Sequence, residues 1–442
     1  MTKYFLACFI CFCSSIRAQT FDASKMDSLF KLIDTKNKGM GNFSIFANGE
    51  EIYQKSFGFS DVSNNKRANS YTTYRIGSVS KTFTATIIML LIEEGKINLN
   101  TVLSKYFPKI PNSNKITIEN LLNHQSGLFN LTDDENLSDW MTEPQSRKKM
   151  IERIIAHGTV FEPKENTQYS NTNYILLSYI AEIIDNKKFQ NILETRIIKP
   201  LNLNRTEFGK KIDPANNEAL PYDFENSDWK LNTTHTDMSL PMGAGGMVST
   251  PTELNVFYKN LFTDHLVSAY SLAKMKNAQE GMGLGLMKLP LGDKEVYGHG
   301  GSIDGFQSFV AYFPKEKVSF AITTNNLYTQ VSNILIGTVQ IYFGMEYKLP
   351  DFSPITAIQL NTEELNPYLG KYSSPSFPID ITITKDGNTL IAQGENQSSF
   401  AIDAIGKDTF HSENVMITLK FIPGEKKMMV EQGGQTFVLT KE

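Results

Sequence analysis

At 442 residues, 40% hydrophobic and 20% charged, the chain is neither disordered nor collagen-like, and it has room for one large core plus a smaller one. Its 43 basic residues against 47 acidic ones give a formal charge of −4, which offers no argument for a nucleic-acid-binding surface. Charges are dispersed, and the short cluster Arg147-Lys148-Lys149 reads as a solvated helix face.

The chain starts MTKYFLACFICFCSSIRAQ, with Lys3, a short apolar run and small or polar residues up to Ala18-Gln19. Residues 1–19 read as a secretory signal peptide, too short for a spanning helix. Removing them takes away Lys3 and Arg17 and no acid, so the charge moves from −4 to −6. The three cysteines, Cys8, Cys11 and Cys13, all fall inside this segment. The mature chain is therefore expected to carry no disulfide, no thiol nucleophile, no thiolate metal site and no transmembrane helix. Its expected location is periplasmic or secreted. Lipid anchoring is the lesser alternative, since Cys8 comes too early and Phe12 is bulky for the position before Cys13.

Residues 24–36 place Met26, Leu29, Phe30 and Ile33 on one helical side. FSIFANGEEIYQKSFGFSD then reads as two strands around an Asn48-Gly49 turn. A helix is expected from about Ser78 to Glu94, with Gly95 as its stop. Residues 101–265 are rich in helical segments and Asn-containing loops. From Gly281, GMGLGLMKL, KEVYGHGGS, FQSFVAYFP and VSFAITTN read as successive strands, and Val331–Phe343 as a closing helix. These elements define a main domain over 20–349, a proline-containing linker over 350–366, and a small antiparallel β-domain over 367–442.

The stretch YRIGSVSKTFTA holds Ser78 and Lys81 three residues apart. Ser-x-x-Lys occurs six times in the chain, so the pattern alone selects nothing, and Ser78 could simply cap the helix. A capping box, however, would carry Glu or Gln where Lys81 stands. A cation in the first turn also opposes the helix dipole. The helix that follows is apolar nearly all round, so it is buried, and a lysine at its start breaks a local rule. Residues i and i+3 share a helix face, so the Lys81 amine can reach the Ser78 hydroxyl. Desolvation would lower the lysine pKa and let the amine accept the serine proton.

Ninety-one residues after Ser78 comes Tyr169-Ser170-Asn171, leading into an apolar helix. Another 130 residues on comes His299-Gly300-Gly301-Ser302, opening onto strands. The order Ser-x-x-Lys, Tyr-x-Asn, His-x-Gly resembles the serine β-lactamase and penicillin-binding protein superfamily, in its branch of class C β-lactamases, D,D-peptidases, D-aminopeptidases and esterases. Further phrases agree, among them ITIENLLNHQSGL, GAGGMVSTPTEL and GHGGSIDGF, over roughly residues 40–345. The trailing segment resembles the small lipocalin-like barrel appended to secreted members.

The resemblance implies an α/β (α+β) fold: an antiparallel sheet flanked by helices, with a helical subdomain. It implies no cofactor and no metal, and a small-molecule or peptidoglycan-like peptide substrate. Ser78 would be the nucleophile, acylated by an ester, amide or β-lactam carbonyl and then freed by hydrolysis, and Lys81 its proton acceptor. Tyr169 would shuttle the proton, its phenol tuned by Lys81. Asn171 would bind a substrate carbonyl or amide. His299, Gly300 and Gly301 would form the strand beside the site, and the N–H groups of Ser302 and Ser78 the oxyanion hole.

Two departures stand out. His299 replaces the usual lysine, which removes a fixed charge for a substrate carboxylate unless the ring protonates, and favours an esterase or peptidase reading. Lys164 occupies a position that is usually glycine after Phe161 and Pro163, beside the Tyr169 loop. Two other readings remain: a non-catalytic sensor or cell-wall binding protein on the same scaffold, and a Ser-His-Asp hydrolase. His124 reads as a loop-fixing side chain, and His157, His235, His265 and His411 have no ligand spacing. The Gly-rich stretches lack the phosphate-loop Lys-Ser/Thr pair and a complete dinucleotide fingerprint.

Overall fold

The computed structural model describes residues 21–225, 228–263, 265–291, 293–352, 357–375, 377, 379–395, 399–412, 415, 417–432 and 435–442. The expected signal peptide lies outside them.

Helix α1 (Ala23–Thr35) is capped by Asp22, whose carboxylate accepts from the Ser24 and Lys25 N–H groups. It buries Met26, Leu29, Phe30 and Ile33, the four residues its spacing puts on one side. Strands β1 (Gly39–Ala47) and β2 (Glu50–Phe57) form the expected hairpin. Asn48 and Gly49 both have positive φ, 52° and 87°, as a type I′ turn requires.

The next long element, α2, runs Ser80–Glu93, and a 3-10 turn over Gly77–Val79 precedes it. The helix therefore starts two residues later than its pattern suggests, and Ser78 is not its cap. Neither the turn nor the helix has a side-chain cap bond at its start. Gly95, at φ 70° with open space around it, ends the helix as expected. Between α2 and the later strands lies a mainly helical region that contains α3 (Asn171–Asp185) and α4 (Pro251–Phe262).

The stretch from Gly281 differs from its expectation. Only Met287–Lys288 (β3) is a strand, because Gly281 and Gly285 turn with φ of 80° and 74°. The strands that follow, β4 (Tyr297–Ile303), β5 (Phe306–Phe313) and β6 (Val318–Leu327), appear where read, and helix α5 (Val331–Tyr342) follows them.

The central sheet has six antiparallel strands in the order β3-β4-β5-β6-β1-β2. Its period-two alternation feeds two cores. Phe43, Ile45, Phe320 and Ile322 face α1 and α5. Val310, Tyr312 and Ala321 face the core built on α2, α3 and α4. Polar contacts also bind this second face, where the Asn255 amide on α4 donates to the Ser44 carbonyl and hydroxyl oxygens.

The C-terminal segment is a closed eight-stranded antiparallel barrel. Its strands are β7 (Gly370–Ser373), β8 (Ile381–Asp386), β9 (Thr389–Gly394), β10 (Phe400–Gly406), β11 (Thr409–Ser412), β12 (Ile417–Ile422), β13 (Lys427–Gln432) and β14 (Gln435–Lys441). β7 pairs with both β8 and β14, which closes the ring. The preceding stretch packs on the barrel. Ile358 N–H donates to the Ala404 carbonyl, and Leu365 is buried among the barrel residues. Among the described residues, no helix is long and apolar enough to cross a membrane.

Candidate active site

Three elements meet at Ser78: the start of α2, the loop entering α3, and the end of β4. Gly77 holds Ser78 at the junction with φ 47°, and a Cβ there would stand 2.7 Å from Ser302 N. Gly301 is as tightly placed, since its Cβ would meet the Ile76 carbonyl at 2.1 Å and Ser78 N at 2.8 Å. Glycine at both positions thus lets strand β4 approach the Ser78 backbone. β3 pairs with β4 only at Tyr297 and Gly298, so residues 299–302 have no partner strand on that side among the described residues.

Lys81 is fully buried, and Ser78 is half-buried beside it. The Lys81 Nζ lies 2.9 Å from Ser78 Oγ, 2.6 Å from Asn171 Oδ1 and 2.7 Å from the Ala244 carbonyl oxygen. Burial drives its pKa well below the usual lysine range. Of these contacts, the Ala244 carbonyl was not legible in the sequence, because a backbone oxygen carries no side-chain signature.

Burial raises the Tyr169 phenol pKa, and the Ser78 side chain offsets part of that rise. Lys81 Nζ stands 4.8 Å from the centre of the Tyr169 ring, and burial is the largest cause of the raised phenol pKa. Asn171 uses its carboxamide on both sides, holding Lys81 through Oδ1 and donating to Thr132 Oγ1 at 2.9 Å through Nδ2. An amide nitrogen carries two hydrogens, so Asn171 can keep both bonds and still have a donor for a substrate carbonyl.

His299 is 4% exposed, and its Nδ1–H donates to the Gly300 carbonyl at 2.6 Å. Burial and the nearby Lys81 lower its pKa to about 4, so the ring is neutral at physiological pH. His124 fixes the loop, as its context suggests. Its ring stacks on Tyr169 at 4.4 Å, and its Nδ1 accepts from Ser170 N–H at 3.1 Å. Lys164 adopts φ 72°, the left-handed region that favours glycine, and its N–H donates to the Gln125 carbonyl.

A cavity of about 110 Å³ opens at Ser78, walled by Leu137, Met141, Ile175, Leu240, Pro241 and Ile303. None of the described side chains that line it is charged. Among the described residues, no three His, Cys, Asp or Glu side chains converge as a metal site.

The sequence model of the Beta-lactamase family matches residues 31–338. The chain belongs to the Beta-lactamase family. A penicillin-binding protein of Bacillus subtilis (strain 168) is 22% identical, with 94% of this chain and 96% of that protein covered. The flp protein of Staphylococcus aureus (strain MRSA252) is 26% identical over 64% of this chain, which spans 58% of that longer relative.

Two similar solved structures differ in how much of the chain they match. D-amino acid amidase from Ochrobactrum anthropi SV3 superposes with a TM-score of 0.62 at 25% identity, covering 69% of this chain and 91% of the amidase. The octameric penicillin-binding protein homologue from Pyrococcus abyssi gives a TM-score of 0.67 at 22% identity, covering 95% of this chain and 100% of its own. That likeness shows the fold alone, the barrel included.

Proposed function

We propose that this Beta-lactamase family member is an exported serine hydrolase that acylates Ser78 with an ester or amide carbonyl and then releases the acid. The observation that carries this reading is the buried Lys81 amine, 2.9 Å from Ser78 Oγ. A neutral amine has two hydrogens and one lone pair. Asn171 Oδ1 and the Ala244 carbonyl accept the hydrogens, and the lone pair is left for the Ser78 hydroxyl proton.

In the acylation step, Ser78 Oγ attacks the carbonyl carbon as its proton passes to Lys81 Nζ. The N–H groups of Ser78 and Ser302 stabilise the oxyanion. The proton then passes through the Tyr169 hydroxyl to the leaving oxygen or nitrogen, which departs as alcohol or amine. Water repeats the sequence on the acyl-enzyme, with Tyr169 and Lys81 taking its proton, and restores Ser78.

The substrate's acyl side is proposed to be small, neutral and apolar. A cavity of about 110 Å³ without charged walls suits it, and a neutral His299 gives no fixed charge for a carboxylate. The D-amino acid amidase likeness supports an amide among the candidates. A Ser-His-Asp mechanism is less well supported. The described Nδ1 partners are the Ser170 N–H and the Asn173 amide for His124 and the Gly300 carbonyl for His299, none of them a carboxylate.

The test is a panel of p-nitrophenyl esters, D-amino-acid anilides and nitrocefin on wild type and Ser78→Ala. Turnover of neutral esters or amides that vanishes in Ser78→Ala is expected. A Ser78 adduct that forms and is never hydrolysed would favour a sensor instead. Export rests on residues 1–19 and is checked by the N-terminal sequence of protein recovered outside the cytoplasm.

A further inference from the structure

The barrel is filled at one end and hollow at the other. At the filled end Tyr368, Tyr372, Phe410 and Phe421 pack ring against ring, and Leu365 closes over them. Toward the opposite end the inward residues of β9 shrink from Leu390 to Ala392 to Gly394. The space this leaves is a cavity of about 680 Å³, bounded on its far side by α5 of the main domain. Its size falls in the range of pockets that hold small molecules, and it shares no lining residue with the cavity at Ser78.

The two walls differ in chemistry. The barrel side presents Phe377, Ile381, Phe400, Ile417 and Phe437, which offer water nothing to bond. The α5 side mixes the polar Gln330, Ser332, Asn333 and Gln340 with the apolar Ile336, Val339 and Phe343. Gln340 is only 5% exposed, yet its side-chain oxygen Oε1 has no hydrogen-bond partner among the described residues. A buried carboxamide oxygen left unpaired is costly, and it marks where a donor belongs. Among the described residues, the charged ones in the lining are Asp293 and Lys294, and Lys294 is already paired with Glu316 at 2.8 Å.

We propose that this cavity is a second ligand site, separate from Ser78, for a neutral apolar molecule with one N–H or O–H donor directed at Gln340 Oε1. The apolar body occupies the hollow barrel mouth against Ala392 and Gly394. The donor meets the α5 wall. Among the described lining residues, an anionic head finds no unpaired cation.

N-phenyl-1-naphthylamine is a suitable probe, being neutral, fluorescent when buried and equipped with a single N–H. 1-Benzylnaphthalene has nearly the same shape and no donor. On the full chain, saturable one-site binding of both is expected, unchanged in Ser78→Ala. Gln340→Leu should weaken the amine about tenfold and leave 1-benzylnaphthalene unaffected. Ala392→Phe, which fills the mouth, should weaken both, with circular dichroism checking its fold. If that variant fails to fold, Gln340→Leu still decides the matter. Absence of saturable binding, or a Gln340→Leu effect equal for the two probes, would overturn the proposal.

Discussion

Arg75 and Asp304 are 229 residues apart in sequence and form an ion pair of 2.5 Å with side chains 2% and 1% exposed. The pair joins the strand that leads into Ser78 to the turn that follows Ser302. Asp304 also accepts from Thr236 Oγ1 at 2.6 Å, while Arg75 reaches the Thr236 and Lys210 carbonyls. Replacing Asp304 with Ala strands a buried guanidinium and should cost about 3–5 kcal/mol in urea unfolding. An apolar pair in place of both residues should recover much of that loss. A single-variant loss below about 1 kcal/mol would mean that the pair does not hold the turn.

Lys81 governs the expected pH dependence of turnover. Its amine must be neutral to accept a proton, and burial lowers its pKa well below 10.5. The rate should therefore rise with pH on the acid side and level off well below that value. Tyr169 is needed as the protonated phenol, and burial raises its pKa above 10.0, so no loss is expected up to that pH. A profile of kcat/KM that rises only near pH 10.5 would show a lysine charged in the working range.

His299 should weaken the fold in acid. Its folded pKa of about 4 is lower than the ordinary 6.5, so between these values the unfolded chain holds the extra proton. Stability is then full above pH 6.5 and falls as the pH drops toward 4, by about 3 kcal/mol from this residue alone. His124, also buried neutral, acts in the same direction. Chemical unfolding of wild type and His299→Asn at pH 7 and pH 4.5 measures this. A stability loss of the same size in both proteins would remove His299 as its source.

Lys164 holds a left-handed backbone that glycine adopts without a Cβ clash. Lys164→Gly should stabilise the protein by about 0.5–1 kcal/mol and leave ester turnover unchanged. A lower melting temperature would show that the lysine side chain offsets its backbone strain.

The local parts of this molecule were legible in the sequence, and the convergent ones were not. Ser78 and Lys81 meet because three residues of one helical turn separate them, and the misplaced cation marked them. The β1–β2 hairpin followed from Asn48-Gly49, and α1 from four spaced apolar residues. The Ala244 carbonyl under Lys81, the His124 ring on Tyr169 and the Arg75–Asp304 pair are long-range contacts without a periodic signature. Asn171 was found through its motif, but its commitment to Lys81 and Thr132 became visible only in the packed site. The strand expected from Gly281 shrank to two residues because glycines with positive φ turn the chain there.

The central claim is that Ser78 is acylated with Lys81 as its base. Its most direct test is an intact-mass time course with a fluorophosphonate on wild type, Ser78→Ala and Lys81→Met, each checked for folding. The expected result is one adduct on wild type, located to Ser78, none on Ser78→Ala, and labelling slowed at least about a hundredfold in Lys81→Met. A wild-type rate in Lys81→Met, or an adduct that persists in Ser78→Ala, would contradict it.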